Sequence, residues 1–139
     1  MMTTFPEADM KNRIVLALAV LLLFAGSLRA QDAARVLSHD VYFSLNDASP
    51  AARDALVAAC KKFLTGHEGA LSFSAGVLNS ELNRPVNDKD FDVALHITFA
   101  SKAAHDKYQE AARHKQFIQE NEKNWKKVRV FDSLVELVK

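Results

Sequence analysis

Residues 36–45 read Val36-Leu37-Ser38-His39-Asp40-Val41-Tyr42-Phe43-Ser44-Leu45. The odd positions Leu37, His39, Val41, Phe43 and Leu45 share one face, on which only His39 is polar. The even positions are mostly polar. Side chains alternate across a β-strand, so this spacing predicts a half-buried strand with one histidine set into its apolar side.

Asn46–Ser49 supplies turn and cap residues, and Pro50 suits the first position of a helix. That helix is expected to run to about Thr65, with Leu56, Ala59, Cys60, Phe63 and Leu64 as its apolar stripe and Gly66 as a left-handed stop. A second strand is expected over 70–78, with Leu71, Phe73, Ala75 and Val77 on one face. A polar loop over 79–90 contains Arg84-Pro85. Phe91 to Phe99 alternates most clearly, with Phe91, Val93, Leu95, Ile97 and Phe99 on one side. Ser101 caps a helix that buries Ala104, Tyr108 and Ala111. This helix breaks and restarts around Arg113, placing His114, Phe117, Ile118 and Asn121 on the inner stripe, and Trp125 closes it. A last strand over 127–137 aligns Val128, Val130, Asp132 and Leu134.

The order β-α-β-β-α-β is the α+β, ferredoxin-like arrangement, with helices on one face of an antiparallel sheet. The other sheet face is expected to be left open. Leu45, Phe73 and the aliphatic strand positions then leave enough apolar surface for two copies to pack sheet to sheet into a barrel, which makes a homodimer the expected state.

The chain has 139 residues, 49% hydrophobic and 25% charged, which bounds it to one globular domain. Residues 1–30 carry three Lys/Arg and two Asp/Glu, leaving fifteen of each from Gln31 onward. A neutral domain offers no electrostatic footprint for nucleic acid. The single cysteine, Cys60, precludes an internal disulfide and a thiolate metal cluster, and its helical position reads as core packing.

Lys11-Asn12-Arg13, the apolar run 14–25 and the small-residue stretch Gly26–Ala30 have the architecture of a cleaved signal peptide. The run falls short of the roughly 20 residues that span a bilayer. Residues 1–30 are therefore expected to be removed, with cleavage after Ala30 or after Ser27. Pro6, Glu7 and Asp9 suit such a segment badly, so translation is expected to start at Met10. No cysteine follows the run to carry a lipid anchor. The expected product is an exported, soluble domain over 31–139, periplasmic or secreted, with no stable membrane anchor.

Among five histidines, His67, His96 and His105 read as solvated. His39, His114 and Tyr108 point inward, and they converge if the helices cover the His39 face. An imidazole there can move a proton while a phenol polarises a carbonyl. The same three groups can equally be satisfied core polar residues. No His-x-His, HExxH or carboxylate cluster appears, and Asp88, Asp90 and Asp92 read as a solvated acidic patch, so neither metal nor cofactor is expected.

Three segments together carry a resemblance: Val36–Phe43, Asp90–Phe99, and Tyr108 with His114. They resemble the stress-responsive A/B barrel (Dabb) family, as does the closing Val130-Phe131-Asp132. The resemblance covers residue 35 to the C-terminus and implies a ferredoxin-like monomer that dimerises into an α+β barrel. It also implies candidate roles, because one plant member is a polyketide cyclase performing an aldol condensation. By that likeness His114 would be the base, Tyr108 the donor, and His39 a pocket residue, with Phe117 and Val93 as further lining. The chain departs from the family's Tyr-x-x-His-Pro-x-His pattern at Ala111-Ala112, and without the proline the helix can run straight and shift His114. The expected function is binding of a small apolar or phenolic ligand in a helix–sheet pocket. A cyclase-like lyase and a cofactor-free monooxygenase-like barrel are the alternatives. Export favours binding over a dedicated biosynthetic cyclase.

Overall fold

The computed structural model describes residues 35–138; the expected signal segment lies outside them. Strand β1 (Val36–Leu45) leads into helix α1 (Pro50–Leu64), then β2 (Ala70–Val77) and β3 (Val93–Phe99). Helices α2 (Lys102–Glu110) and α3 (Ala112–Asn121) follow, and a short 3₁₀ turn (Glu122–Asn124) enters β4 (Trp125–Val135). The second helix of the expected pattern is thus two helices, broken at Ala111 rather than Arg113. Among the described residues no helix is long and apolar enough to cross a membrane.

The four strands form one antiparallel sheet in the order β2-β3-β1-β4. This is the ferredoxin-like arrangement, and it makes β1 a central strand. Cross-strand partners share a face, so the register defines rows. Phe43 lies between Val93 and Val128, Val41 between Leu95 and Val130, and His39 between Ile97 and Asp132. Leu37 lies between Phe99 and Leu134. The helices cover the part of these rows that runs over β1 and β3. There Leu95, Ile97, Val93 and Phe99 are fully buried with Leu64 and Cys60 of α1. Burial pushes the Cys60 thiol up to about 12, so it packs as an inert apolar group.

The caps are where the sequence places them. Ser49 accepts from the Ala52 amide ahead of Pro50, and Ser101 accepts from the Ala104 amide.

One expectation is corrected. Leu45 is buried beneath the helices and Phe73 packs against the same core, so neither contributes to an open apolar face. The open face is mixed: Tyr42 sits between Ala94 and Arg129, and Asp40 between His96 and Phe131. Exposed apolar groups gather instead on the edge strand β4, at Val128, Val130, Phe131 and Leu134.

Gly66 and Gly69 both have positive φ, but only Gly69 is crowded. A Cβ there would lie 2.5 Å from the Ala104 Cβ of α2, whereas Gly66 faces open space. Gly66→Ala should lower the unfolding free energy by about 1 kcal/mol through backbone strain. Gly69→Ala should lower it by about 3 kcal/mol, because overpacking adds to that strain. Urea denaturation of both variants checks this, and equal losses would contradict the close approach of α2.

Candidate functional site

Strand alternation turns His39 into the helix-covered side, where it is 4% exposed. A polar ring there needs a partner, and the register supplies one directly across the sheet. His39 Nδ1 lies 2.7 Å from Asp132 Oδ1 on β4.

Tyr108, 2% exposed on α2, sits at the centre of a cluster of imidazoles. Ring centroids lie 4.5 Å away for His114, 4.9 Å for His67, 5.9 Å for His39 and 6.3 Å for His105. The structure therefore brings together the three groups singled out from sequence and adds two read as solvated. His105 packs 4.8 Å from His39 and 5.4 Å from Phe99. His67 faces the Phe63 carbonyl at 2.9 Å through Nε2. A signal for His105 was present, since it lies three residues before Tyr108 and so on the same helix face. His96 remains apart on the open face, with Nδ1 2.6 Å from Asp40 Oδ1.

The break between α2 and α3 orients His114. Ala111 is extended (ψ 137°), which leaves the last carbonyls of α2 without helical donors. One of them, Gln109 O, lies 3.1 Å from His114 Nδ1. A carbonyl only accepts, so Nδ1 carries the proton and Nε2 keeps its lone pair. The Gln109 side-chain amide also touches His105 Nε2 at 3.0 Å, so one residue fixes two rings. Loss of the family's proline does not straighten the helix here. Burial, reinforced by neighbouring imidazoles, holds His114 and His105 below the usual histidine value. Burial also pushes the Tyr108 hydroxyl well up, so it stays protonated. The chemical result is a neutral base beside a phenolic donor.

Val93 and Phe117 stand two rows away. Val93 is fully buried opposite Phe43, and Phe117 packs on Phe43 and Trp125 at 6.2 and 5.7 Å. These rings fill that end of the helix–sheet layer.

A cavity of about 490 Å³ opens instead on the other sheet face. Tyr42, Phe91 and Phe131 give it aromatic walls, with Phe91 and Phe131 5.0 and 5.7 Å from Tyr42. Leu78 and Leu82 extend the apolar lining, and Asp40, Asp88, Lys89 and Arg129 add charge. The loop before β3 closes one side and is tied down by its acidic residues. Arg129 Nη1 donates to Asp88 at 2.7 Å, and Lys127 Nζ to Asp90 at 2.8 Å. Asp92 accepts from Arg53 Nη2 and from the Leu45 amide, each at 2.8 Å. The three aspartates read as a solvated patch are therefore loop fasteners.

A family model described as the Stress responsive A/B Barrel Domain matches residues 37–135. Solved structures resemble the chain over their whole length. A Dabb family protein of ferredoxin-like fold from Mesorhizobium loti is 24% identical, at TM-score 0.61, over 75% of this chain and 99% of its own. A dimeric ferredoxin-like protein from Thermobifida fusca is 14% identical, at TM-score 0.60, over 78% and 97%. The hydroxynitrile lyase from Passiflora edulis is 18% identical, at TM-score 0.60, over 76% and 97%. None of the curated proteins compared matches the chain.

The electrostatics generate a pH dependence. His114 and His105 bind protons less readily folded than at the ordinary value of 6.5. As pH falls through about 6.5 the unfolded chain takes up more protons, so stability is full above that pH and is lost below it. The denaturation midpoint should fall on acidification through this window, and His114→Gln should make the fall shallower. An identical slope in the variant would contradict the buried neutral imidazole.

Proposed function

The chain belongs to the stress-responsive A/B barrel domain family, and on that premise we propose that it is an exported homodimer that binds a small apolar or phenolic ligand. Export rests on the basic, apolar and small-residue succession of Lys11–Ala30. Dimerisation is supported by the dimeric Thermobifida fusca relative in fold and by Phe131 of β4, an exposed aromatic ring on the open sheet face. A second copy over the open sheet face would also enclose the cavity.

The observation that carries the binding reading is the cavity itself. Its size of about 490 Å³ falls within the range of small-molecule sites, and its aromatic walls with a few polar groups match their usual chemistry. Tyr42, Phe91 and Phe131 offer ring edges and faces to a flat ligand. Asn79 and Asn87 can meet a hydroxyl. On this reading the ligand lies on the open face rather than between helices and sheet.

A second reading assigns proton transfer to His114 and Tyr108, in the manner of a lyase or cyclase. It is favoured by the Gln109 carbonyl, which leaves His114 Nε2 basic beside the Tyr108 ring. The Passiflora edulis lyase has the same fold, although a shared fold carries no reaction with it.

Calorimetric titration with 4-hexylresorcinol, a phenol with an apolar tail, separates the two. The binding reading expects saturable uptake, weakened about tenfold, or ~1.4 kcal/mol, by Tyr42→Ala or Phe131→Ala and unchanged by His114→Ala. Loss of binding in His114→Ala with Tyr42→Ala unaffected would favour the helix-side site. No uptake by any form would contradict the proposed ligand class.

A further inference from the structure

His39, His105 and Asp132 come from β1, α2 and β4. Each offers one side-chain donor atom, and the three donors lie within 4.8 Å of one another. Short-spaced ligand motifs do not reveal this set, because its members are distant in sequence and meet through the sheet register and the packing of α2. The His39–Asp132 bond at 2.7 Å would satisfy both partners by itself. It does not account for a second imidazole packed 4.8 Å from the first. Two imidazoles and a carboxylate form a donor set for divalent first-row transition ions, zinc and ferrous iron among them.

We infer that His39, His105 and Asp132 form a three-ligand site for a divalent transition-metal ion, with a remaining position for solvent or a small ligand. Bonds of about 2.0–2.2 Å to a tetrahedral ion set the donors roughly 3.3–3.6 Å apart, so the set must contract from 4.8 Å while the 2.7 Å His39–Asp132 pair opens. The freedom for that contraction lies in Asp132, whose side chain is 47% exposed, and in His105 in the first turns of α2. His39 is the fixed member, held in the centre of the sheet. The Gln109 side chain reaches His105 Nε2 at 3.0 Å, and with its amide turned so that the oxygen accepts the ring N–H it supplies the outer contact that commonly orients a ligating ring. Asp132 is the part-exposed member, so the site opens along β4 and not towards the cavity on the other sheet face. The site shares His39 with the proton-transfer reading and does not depend on either functional reading.

The test uses untagged protein titrated with Zn²⁺ by calorimetry and with Co²⁺ by visible absorption. The expected result is one ion per chain and the d–d bands of a four- or five-coordinate cobalt site. Asp132→Asn and His105→Ala should each weaken Zn²⁺ by more than the roughly 10- to 100-fold that loss of an outer-sphere partner produces. His96→Ala should bind as the parent does, because its pair with Asp40 lies on the opposite face. His114→Ala should also bind normally, which separates this site from the proton-transfer reading. Because Asp132 is half exposed, Asp132→Asn is expected to fold. Zn²⁺ should then raise the melting temperature of the parent but not of that variant. Absence of saturable binding would overturn the site. So would affinity unchanged in Asp132→Asn and His105→Ala, or lost in His96→Ala.

Discussion

The alternation of β1 in the middle of the sheet is the constraint on which the other features depend. With hydrogen-bonded neighbours on both sides, the strand cannot slip by one residue without turning every side chain to the opposite face. Its odd positions complete the core and carry His39 beneath the helices, against Asp132 on one side and close to His105 above. Its even positions place Asp40 and Tyr42 under the cavity on the other face. One strand thus separates an imidazole–tyrosine cluster from an aromatic-walled cavity. With no disulfide available to the single Cys60, the packing of that strand's apolar face has to hold the two apart.

The helix break at Ala111 is the second organising feature. A straight helix would consume the Gln109 carbonyl in its own ladder, and His114 would lose the acceptor that sets its tautomer. Because the chain extends at Ala111, Gln109 fixes His105 through its side chain and His114 through its main chain. Local backbone geometry, rather than a particular residue at the break, delivers the ring to Tyr108.

Much of this was legible in the sequence. Period-two spacing identified β1 and β3, Ser49-Pro50 and Ser101 marked the helix starts, and His39, Tyr108 and His114 stood out as polar groups on inward faces. The misses share a physical cause. Alternation separates two faces of a strand but does not say which one the helices cover, so Leu45 and Phe73 were assigned to an open face that is in fact mixed. His105 and His67 read as solvated because their enclosure comes from tertiary contacts with Tyr108 and Phe99. Likewise, the roles of Asp88, Asp90 and Asp92 depend on Arg53, Lys127 and Arg129, which lie well away in the chain.

The imidazoles themselves report most directly on this arrangement. In protein labelled with ¹⁵N in the histidine rings, long-range proton–nitrogen NMR across pH reads the tautomer and protonation of each ring. The account predicts that His114 is the Nδ1–H tautomer, protonates below the ordinary histidine value, and shows through-space contacts to the Tyr108 ring, as does His39. His114 as the Nε2–H tautomer, titrating as a free histidine with no contact to Tyr108, would contradict it.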